Sequence, residues 1–189
     1  VDAAAFTVVT RSGQQKTPVC ASLRPADGPG ERHTVLLVGD FGDPLDDPPV
    51  QVAVTGHLPL EGGADGRGLT VDVTPLEAGP SIVLAMGYPV GGRDSGCPEG
   101  TRQIVDVVWS GGVVPGPGQT SENHREMYSV TTKTGAVTPI ALGDVGDNDN
   151  YELLCLDTES PASRVSAAEG ILQDPRGDLN PSTSLNVAR

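Results

Sequence analysis

The sequence predicts an all-β protein, an antiparallel β-sandwich of immunoglobulin-like or jelly-roll-like kind with long acidic loops rich in Gly and Pro. Two observations predict this class. Short runs of alternating apolar and polar residues, rich in β-branched side chains, recur along the chain. Turn-forming clusters separate these runs, and the chain contains 25 Gly and 17 Pro. A 3.6-residue period is not sustained over any long stretch, so the pattern favours packed sheets over helices.

The individual strands follow from this two-residue alternation. The segment 69–74 is predicted to turn Leu69, Val71 and Val73 inward. The segment 34–38 is continuously apolar, which is typical of a strand buried on both faces. One short helix is expected at 120–127 with Ser or Thr as its N-cap, and a tight hairpin at 133–136. The full set of predicted strands is 6–10, 19–23, 34–38, 50–58, 69–74, 81–85, 104–109, 128–132, 137–142, 151–156, 164–167 and 184–187.

One domain spanning residues 1–189 is the expected organisation. The segment 111–118 is rich in Gly and Pro, like an interdomain linker. A boundary there would leave a C-terminal piece with few aromatic residues and a thin core, which is difficult to stabilise alone. The sequence therefore favours a single β-sandwich.

The charge of the chain excludes two classes of partner. Twenty-five acidic and 12 basic residues give a formal net charge of −13. A nucleic-acid-binding protein needs a basic surface to displace counterions from phosphates, and adsorption to an anionic membrane needs the same. No apolar run reaches the roughly 18–20 residues of a membrane helix. We therefore expect neither nucleic-acid binding nor membrane insertion.

Three cysteines, Cys20, Cys97 and Cys155, allow at most one disulfide within the chain. Cys97 lies in a polar, Gly-rich loop, and an exposed thiol persists outside the cell mainly when it is paired. Cys155 lies in an apolar strand, where a thiol acts as a small hydrophobic group. These environments favour a Cys20–Cys97 disulfide with Cys155 free and buried. A chain that begins at Val1 fits a mature exported protein or a shortened chain.

An acidic loop at 143–150 is the strongest candidate for a metal site. Asp144, Asp147 and Asp149 supply hard oxygen ligands of the kind that Ca²⁺ prefers. The loop does not fit the EF-hand register, because Glu152 stands where that motif requires Gly. An irregular calcium site at a strand end is one hypothesis. The other is an Asx turn whose side chains bond to their own backbone.

A second hypothesis places chemistry on histidines. His33, His57 and His124 could hold copper, and His124 could share a helical face with Met127. A small hydrolase on the same sandwich, using the same three histidines, is a further alternative. Trp109 ends a predicted strand and is expected to anchor the core or its rim.

The leading functional expectation is an exported bacterial domain that is not an enzyme. It would be extracellular or periplasmic and serve as a binding, adhesive or structural module with an unidentified protein or glycan partner. Bound Ca²⁺ at Asp144, Asp147 and Asp149 would stabilise it. The alternative is the copper-binding protein or hydrolase described above.

Overall fold

The computed structural model describes residues 1–24, 31–75, 77–89, 91, 96–145 and 149–188. In these residues the protein is nearly all β, and every pair of adjacent strands is antiparallel. The predicted all-β, antiparallel class is therefore confirmed. The chain divides into two compact units, Val1–Leu76 and Glu77–Arg189. Each unit is described by itself, and the single domain over 1–189 stays a prediction.

In its described residues, the first unit contains six strands in two sheets. Strands β2, β1, β5 and β6 form one sheet in that order, and β3 pairs with β4 in the other. Short 3₁₀ turns at Ala3–Ala5 and Glu61–Gly63 precede β1 and β6. The strands are β1 (Phe6–Thr10), β2 (Gln15–Lys16), β3 (Cys20–Ser22), β4 (Leu36–Val38), β5 (Pro49–Val54) and β6 (Thr70–Asp72).

The core of the first unit lies under β1. Phe6, Val8 and Thr10 alternate on its buried face, as the two-residue period of a strand requires. Two burial predictions for this unit are wrong. Strand β4 is not buried on both faces, and β6 is exposed at all three of its positions. Both strands lie at the end of their sheet, where no neighbouring strand covers them within the described residues.

The part of the second unit that the structure describes contains ten strands and one helix. Strands β12, β13, β8 and β7 form one sheet, β11, β10, β14 and β16 form another, and β15 pairs with β9. The elements are β7 (Ile82–Pro89), β8 (Gln103–Trp109), β9 (Val114–Pro115), α1 (Ser121–Glu126), β10 (Tyr128–Thr132), β11 (Gly135–Val137), β12 (Ala141–Gly143), β13 (Tyr151–Leu156), β14 (Ala162–Ala167), β15 (Leu172–Gln173) and β16 (Thr183–Asn186).

The core of the second unit is built from both of its four-stranded sheets. Val105 and Leu154 come from one sheet, Val130 and Val165 from the other, and all four side chains are completely buried in one apolar cluster. The end of the chain connects the sheets at one side. Strand β16 pairs with β14, and the following Ala188 N–H donates to the carbonyl of Ala85 in β7 at 2.8 Å.

Local predictions in this unit are confirmed where short-range chemistry decides the structure. Thr120 caps α1, because its hydroxyl accepts a hydrogen bond from the Asn123 N–H at 3.1 Å. Strands β10 and β11 form the expected two-residue hairpin, with Thr132 opposite Gly135. Among the described residues, no helix combines the length and apolar character needed to cross a bilayer.

The predicted disulfide is wrong. Cys97 is bonded to Cys155, and Cys20 is a free, exposed thiol on β3. The segment that connects β7 to β8 ends at Gln103, the first residue of β8. Cys155 lies opposite Ile104, the next residue of β8. That connection carries Cys97, so it places the two sulfur atoms together. The apolar surroundings of Cys155 were compatible with a buried disulfide as well as with a buried free thiol.

Candidate functional site

The acidic loop predicted to bind calcium is only partly described. Asp144 follows β12 with a left-handed backbone, at a φ of 53°. Asp149 is buried at the start of β13, and its Oδ1 accepts a hydrogen bond from the Tyr151 N–H at 2.7 Å. This bond is the Asx turn considered as the alternative to a metal ligand. Asp147 lies outside the described residues, so calcium binding by Asp144, Asp147 and Asp149 stays a prediction.

The three histidines have separate surroundings. His33 and His57 belong to the first unit and His124 to the second. His57 Nδ1 lies 3.1 Å from Asp65 Oδ2 on the surface of the first unit. Within the residues that the structure describes, no group of three or more His, Cys, Asp or Glu side chains could hold a metal ion. Copper binding by the histidines stays a prediction.

The main concentration of polar chemistry in the described chain is a buried group of four side chains in the second unit. We call it the Glu152 cluster. It consists of Trp109, His124, Tyr128 and Glu152, none of which is more than 6% exposed. The cluster lies where the end of β8, helix α1 and the start of β10 meet the beginning of β13.

Sheet register brings Trp109 and Glu152 together. Val107 lies directly opposite Glu152, and the Trp109 N–H donates to the Asn150 carbonyl at 2.8 Å in the next pair of the same register. Directly opposed residues of an antiparallel pair point to the same face, and so do residues two positions further along. Trp109 and Glu152 therefore both face the interior of the unit.

The helix brings the other two members. His124 lies on α1, and Tyr128 follows it four residues later at the start of β10. Side chains four residues apart at a helical turn lie on the same side of the chain. The His124 and Tyr128 ring centres are accordingly 6.3 Å apart, and the Tyr128 and Trp109 ring centres are 6.4 Å apart.

Both oxygens of the Glu152 carboxylate are occupied. Oε1 lies 2.6 Å from His124 Nε2, a close contact that lacks the alignment of a hydrogen bond. Oε2 accepts a hydrogen bond from the Tyr128 hydroxyl and a second one from Trp109 Nε1 at 3.3 Å. The indole N–H is shared, because it also lies 3.1 Å from the Tyr128 oxygen. The buried carboxylate is therefore surrounded by donors, as burial of such a group requires.

The electrostatics of the cluster keep Tyr128 protonated. Burial raises the pKa of the Tyr128 phenol well above its usual value, and the adjacent Glu152 charge and hydrogen bond raise it further. Tyr128 thus serves as a hydrogen-bond donor at neutral pH. A carboxylate, an imidazole and a phenol are groups that can transfer protons, but here they contact each other within the core.

The sequence predicts only part of this cluster. The complete burial of Trp109 confirms the prediction that it anchors the core or its rim. The predicted pairing of His124 with Met127 is not found, because His124 lies against Glu152 and Met127 is buried in the apolar core. No motif in the sequence identifies Glu152. It is the one charged residue in the otherwise apolar run 151–156, and a buried carboxylate in such a run needs a donor elsewhere.

Comparison of the chain with protein-family models, with curated proteins and with solved structures finds no match. The fold and the Glu152 cluster define an all-β protein of antiparallel sheets with a polar network buried in its second unit.

Proposed function

We propose that the protein is an exported bacterial domain that is not an enzyme and that binds a protein or glycan partner as a binding, adhesive or structural module. The observation that carries this proposal is the distribution of aliphatic surface. Nine of the 13 large hydrophobic side chains that are exposed among the described residues belong to the first unit. Those nine are Val1, Val19, Leu36, Val38, Leu45, Val50, Leu60, Leu69 and Val71.

The contrast with the interior strengthens this interpretation. Of the 23 hydrophobic residues that are buried in the described part of the chain, the first unit contributes only three, namely Ala5, Phe6 and Val8. Exposed aliphatic side chains that occur singly are ordinary, whereas a contiguous apolar patch marks an interaction surface, and this proposal assigns such a patch to the exposed residues of the first unit. The first unit therefore supplies the binding surface in this proposal.

The second unit supplies the stable framework. Its two four-stranded sheets contribute to one apolar core, which supports the β-sandwich in this unit. The groups of the Glu152 cluster contact each other and are almost inaccessible to solvent, which supports a structural role for them. The disulfide supports an extracellular or periplasmic location, since such bonds persist in oxidising compartments.

The proposal is tested by measuring binding of the full chain to peptide and glycan arrays. Two pairs of exposed aliphatic residues in the first unit are replaced by Ser, Leu36 with Val38 and Leu69 with Val71. The matched control is the second-unit pair Val83 and Leu179, which is exposed to a similar degree. We expect saturable binding that at least one first-unit double variant weakens tenfold or more, while the control variant binds normally.

Two outcomes contradict the proposal. One is the absence of binding to any member of either array. The other is binding that the Val83 and Leu179 control weakens as much as the first-unit variants do, because the surface of the first unit would then not be the binding surface.

A further inference from the structure

Strand β6 ends its sheet with an apolar side and an open hydrogen-bonding edge. The sheet order is β2-β1-β5-β6, so within the described residues β6 has a strand neighbour on one side only. Leu69 and Val71 are 55% and 62% exposed. An aliphatic edge strand of this kind is a template for pairing with another extended segment.

The register identifies the main-chain groups that point outward. The Val54 N–H donates to the Leu69 carbonyl, and the Val73 N–H donates to the Val50 carbonyl. Hydrogen-bonded pairs alternate with non-hydrogen-bonded pairs in an antiparallel ladder. The Leu69 carbonyl, the main chain of Val71 and the Val73 N–H are therefore directed towards β5, whereas the main chain of Thr70 and Asp72 is directed towards the outer edge.

The two faces of β6 differ in chemistry. Val71 lies opposite Val52, which in turn lies opposite Val8, so an apolar row runs across the sheet from its covered centre to its exposed edge. On the other face, Asp72 lies opposite Gln51, whose amide donates to Asp72 Oδ1 at 3.4 Å. A strand added beside β6 would meet aliphatic side chains on one face and a carboxylate on the other.

We propose that β6 binds an extended polypeptide segment of another protein, with alternating aliphatic and basic side chains, by adding it as a fifth strand to the sheet. The aliphatic side chains extend the row that ends at Val71, and the basic side chains face Asp72. The net charge of −13 attracts a basic segment and opposes pairing with a second copy of this chain. Main-chain bonds to Thr70 and Asp72 supply the remaining contacts. This inference rests on the proposed binding function and names its partner chemistry.

The test uses two labelled hexapeptides, one of alternating Lys and Val and one of alternating Glu and Val, both blocked at their ends. Binding to the full chain is measured by fluorescence anisotropy at low ionic strength. We expect the Lys-Val peptide to bind at least tenfold more tightly than the Glu-Val peptide. Added salt should reduce this difference.

Three variants of the edge locate the site. Thr70→Pro removes an outward N–H without removing a bond to β5, and we expect it to weaken binding of the Lys-Val peptide at least tenfold. Asp72→Asn removes the charge and leaves the backbone intact, and we expect at least a threefold loss. Val83→Thr, which changes an exposed residue of the second unit, should bind like the unmodified protein. If Thr70→Pro fails to fold by circular dichroism, Asp72→Asn and Val71→Lys decide the result.

The outcomes separate this inference from the proposed function. Equal binding of the two peptides, no binding of the Lys-Val peptide, or binding unaffected by the edge variants would overturn the inference. So would a dimer of the unmodified protein that Thr70→Pro dissociates in sedimentation, because a second copy would then occupy the edge. In each case, array binding that depends on Leu36 and Val38 would leave the proposed function intact.

Discussion

His124 Nε2 lies 2.6 Å from Glu152 Oε1 in the interior of the second unit, where both side chains are more than nine-tenths buried. The contact joins the only α-helix of the described residues to the beginning of β13, a central strand of its sheet. Tyr128 and Trp109 donate to the other oxygen of the same carboxylate. A single acidic side chain therefore connects α1, β8, β10 and β13, and its removal leaves several buried polar groups without an acceptor.

The first prediction concerns Glu152. We expect Glu152→Ala to lower the free energy of unfolding by about 3–5 kcal/mol, because the donors around the missing carboxylate stay buried. Glu152→Gln keeps an oxygen that can accept from Tyr128 and Trp109, so it should lower the free energy of unfolding by less than Glu152→Ala does. Urea denaturation measures both, with the exposed Glu126→Gln as control. A loss below about 1 kcal/mol for Glu152→Ala, within the range of ordinary surface changes, would show that the cluster does not stabilise the fold.

The second prediction is a dependence of stability on alkaline pH through Tyr128. The pKa of this phenol is raised in the folded protein by burial and by Glu152. Unfolding releases the phenol to its ordinary pKa of about 10. The protonated Tyr128 phenol therefore contributes its full stabilisation of the folded state below about pH 10. This contribution is lost as the pH rises towards the pKa of Tyr128 in the folded protein.

Tyr128→Phe provides the comparison for this pH dependence. We expect the variant to be less stable by about 1–3 kcal/mol at neutral pH, since Glu152 and Trp109 lose a partner. Above pH 10 its free energy of unfolding should fall less steeply than that of the unmodified protein. Parallel slopes for the two proteins between pH 9 and 11.5 would show that Tyr128 titrates alike in both states.

The third prediction concerns the Cys97–Cys155 disulfide, which closes a loop with a sequence separation of 58 residues. Loop-closure entropy gives it about 4 kcal/mol of stabilisation. We expect the double variant Cys97→Ala with Cys155→Ala to lose an amount of this order, and Cys20→Ala to lose little because Cys20 is exposed. Alkylation of the native protein followed by peptide mass spectrometry should label Cys20 alone. A linked peptide containing Cys20 and Cys97 would contradict the structure.

The extent to which the sequence predicts this protein depends on the range of the interactions involved. Strands β1, β10 and β13 have the predicted bounds, because alternation of side chains is a local property. The exposure of Val71 depends on which strand comes last in the sheet, and the pairing of Cys155 depends on the register between β13 and β8. The periodicity of the sequence specifies neither the strand order nor the register, so it predicts neither the exposure of Val71 nor the partner of Cys155.

The Glu152 cluster shows the same limit in the candidate site. The spacing of His124 and Tyr128 is visible in the sequence, and so is the isolated charge of Glu152 in an apolar strand. Their meeting requires α1 to lie beside β13, an arrangement that tertiary packing alone decides. A buried carboxylate could therefore be anticipated from sequence, but its donors could not be identified.

The fourth prediction concerns acid stability and Asp47. The Asp47 carboxylate accepts hydrogen bonds from the Ser12 N–H at 2.7 Å, from the Ser12 hydroxyl and from the Thr10 hydroxyl. The Ser12 backbone bond is the main cause that lowers the pKa of Asp47. The resulting stabilisation is present above the unfolded pKa of about 3.9 and is lost as the pH falls through the folded pKa.

We expect Asp47→Asn to destabilise the protein at pH 7 and to flatten the decline in stability below about pH 4. Thermal melting between pH 2.5 and 7 measures the effect. Asp46→Asn is the control, since it changes a neighbouring exposed carboxylate whose side chain does not hold this turn. A decline equally steep in Asp47→Asn and in the unmodified protein would remove Asp47 as a source of acid sensitivity.

The fifth prediction is stabilisation by calcium at the loop that contains Asp144, Asp147 and Asp149. A ligand that binds only the folded state stabilises it in proportion to the logarithm of its concentration above Kd. For a Kd of about 10⁻⁴ M, at the tight end of extracellular sites, 10 mM Ca²⁺ would contribute about 2.7 kcal/mol. We expect a higher melting midpoint in 10 mM Ca²⁺ than in chelator. The difference should be smaller for Asp144→Asn and Asp147→Asn than for the control Asp46→Asn, which changes an exposed carboxylate. A midpoint that calcium leaves unchanged would assign this loop to its alternative, the Asx turn in which Asp149 binds the Tyr151 N–H.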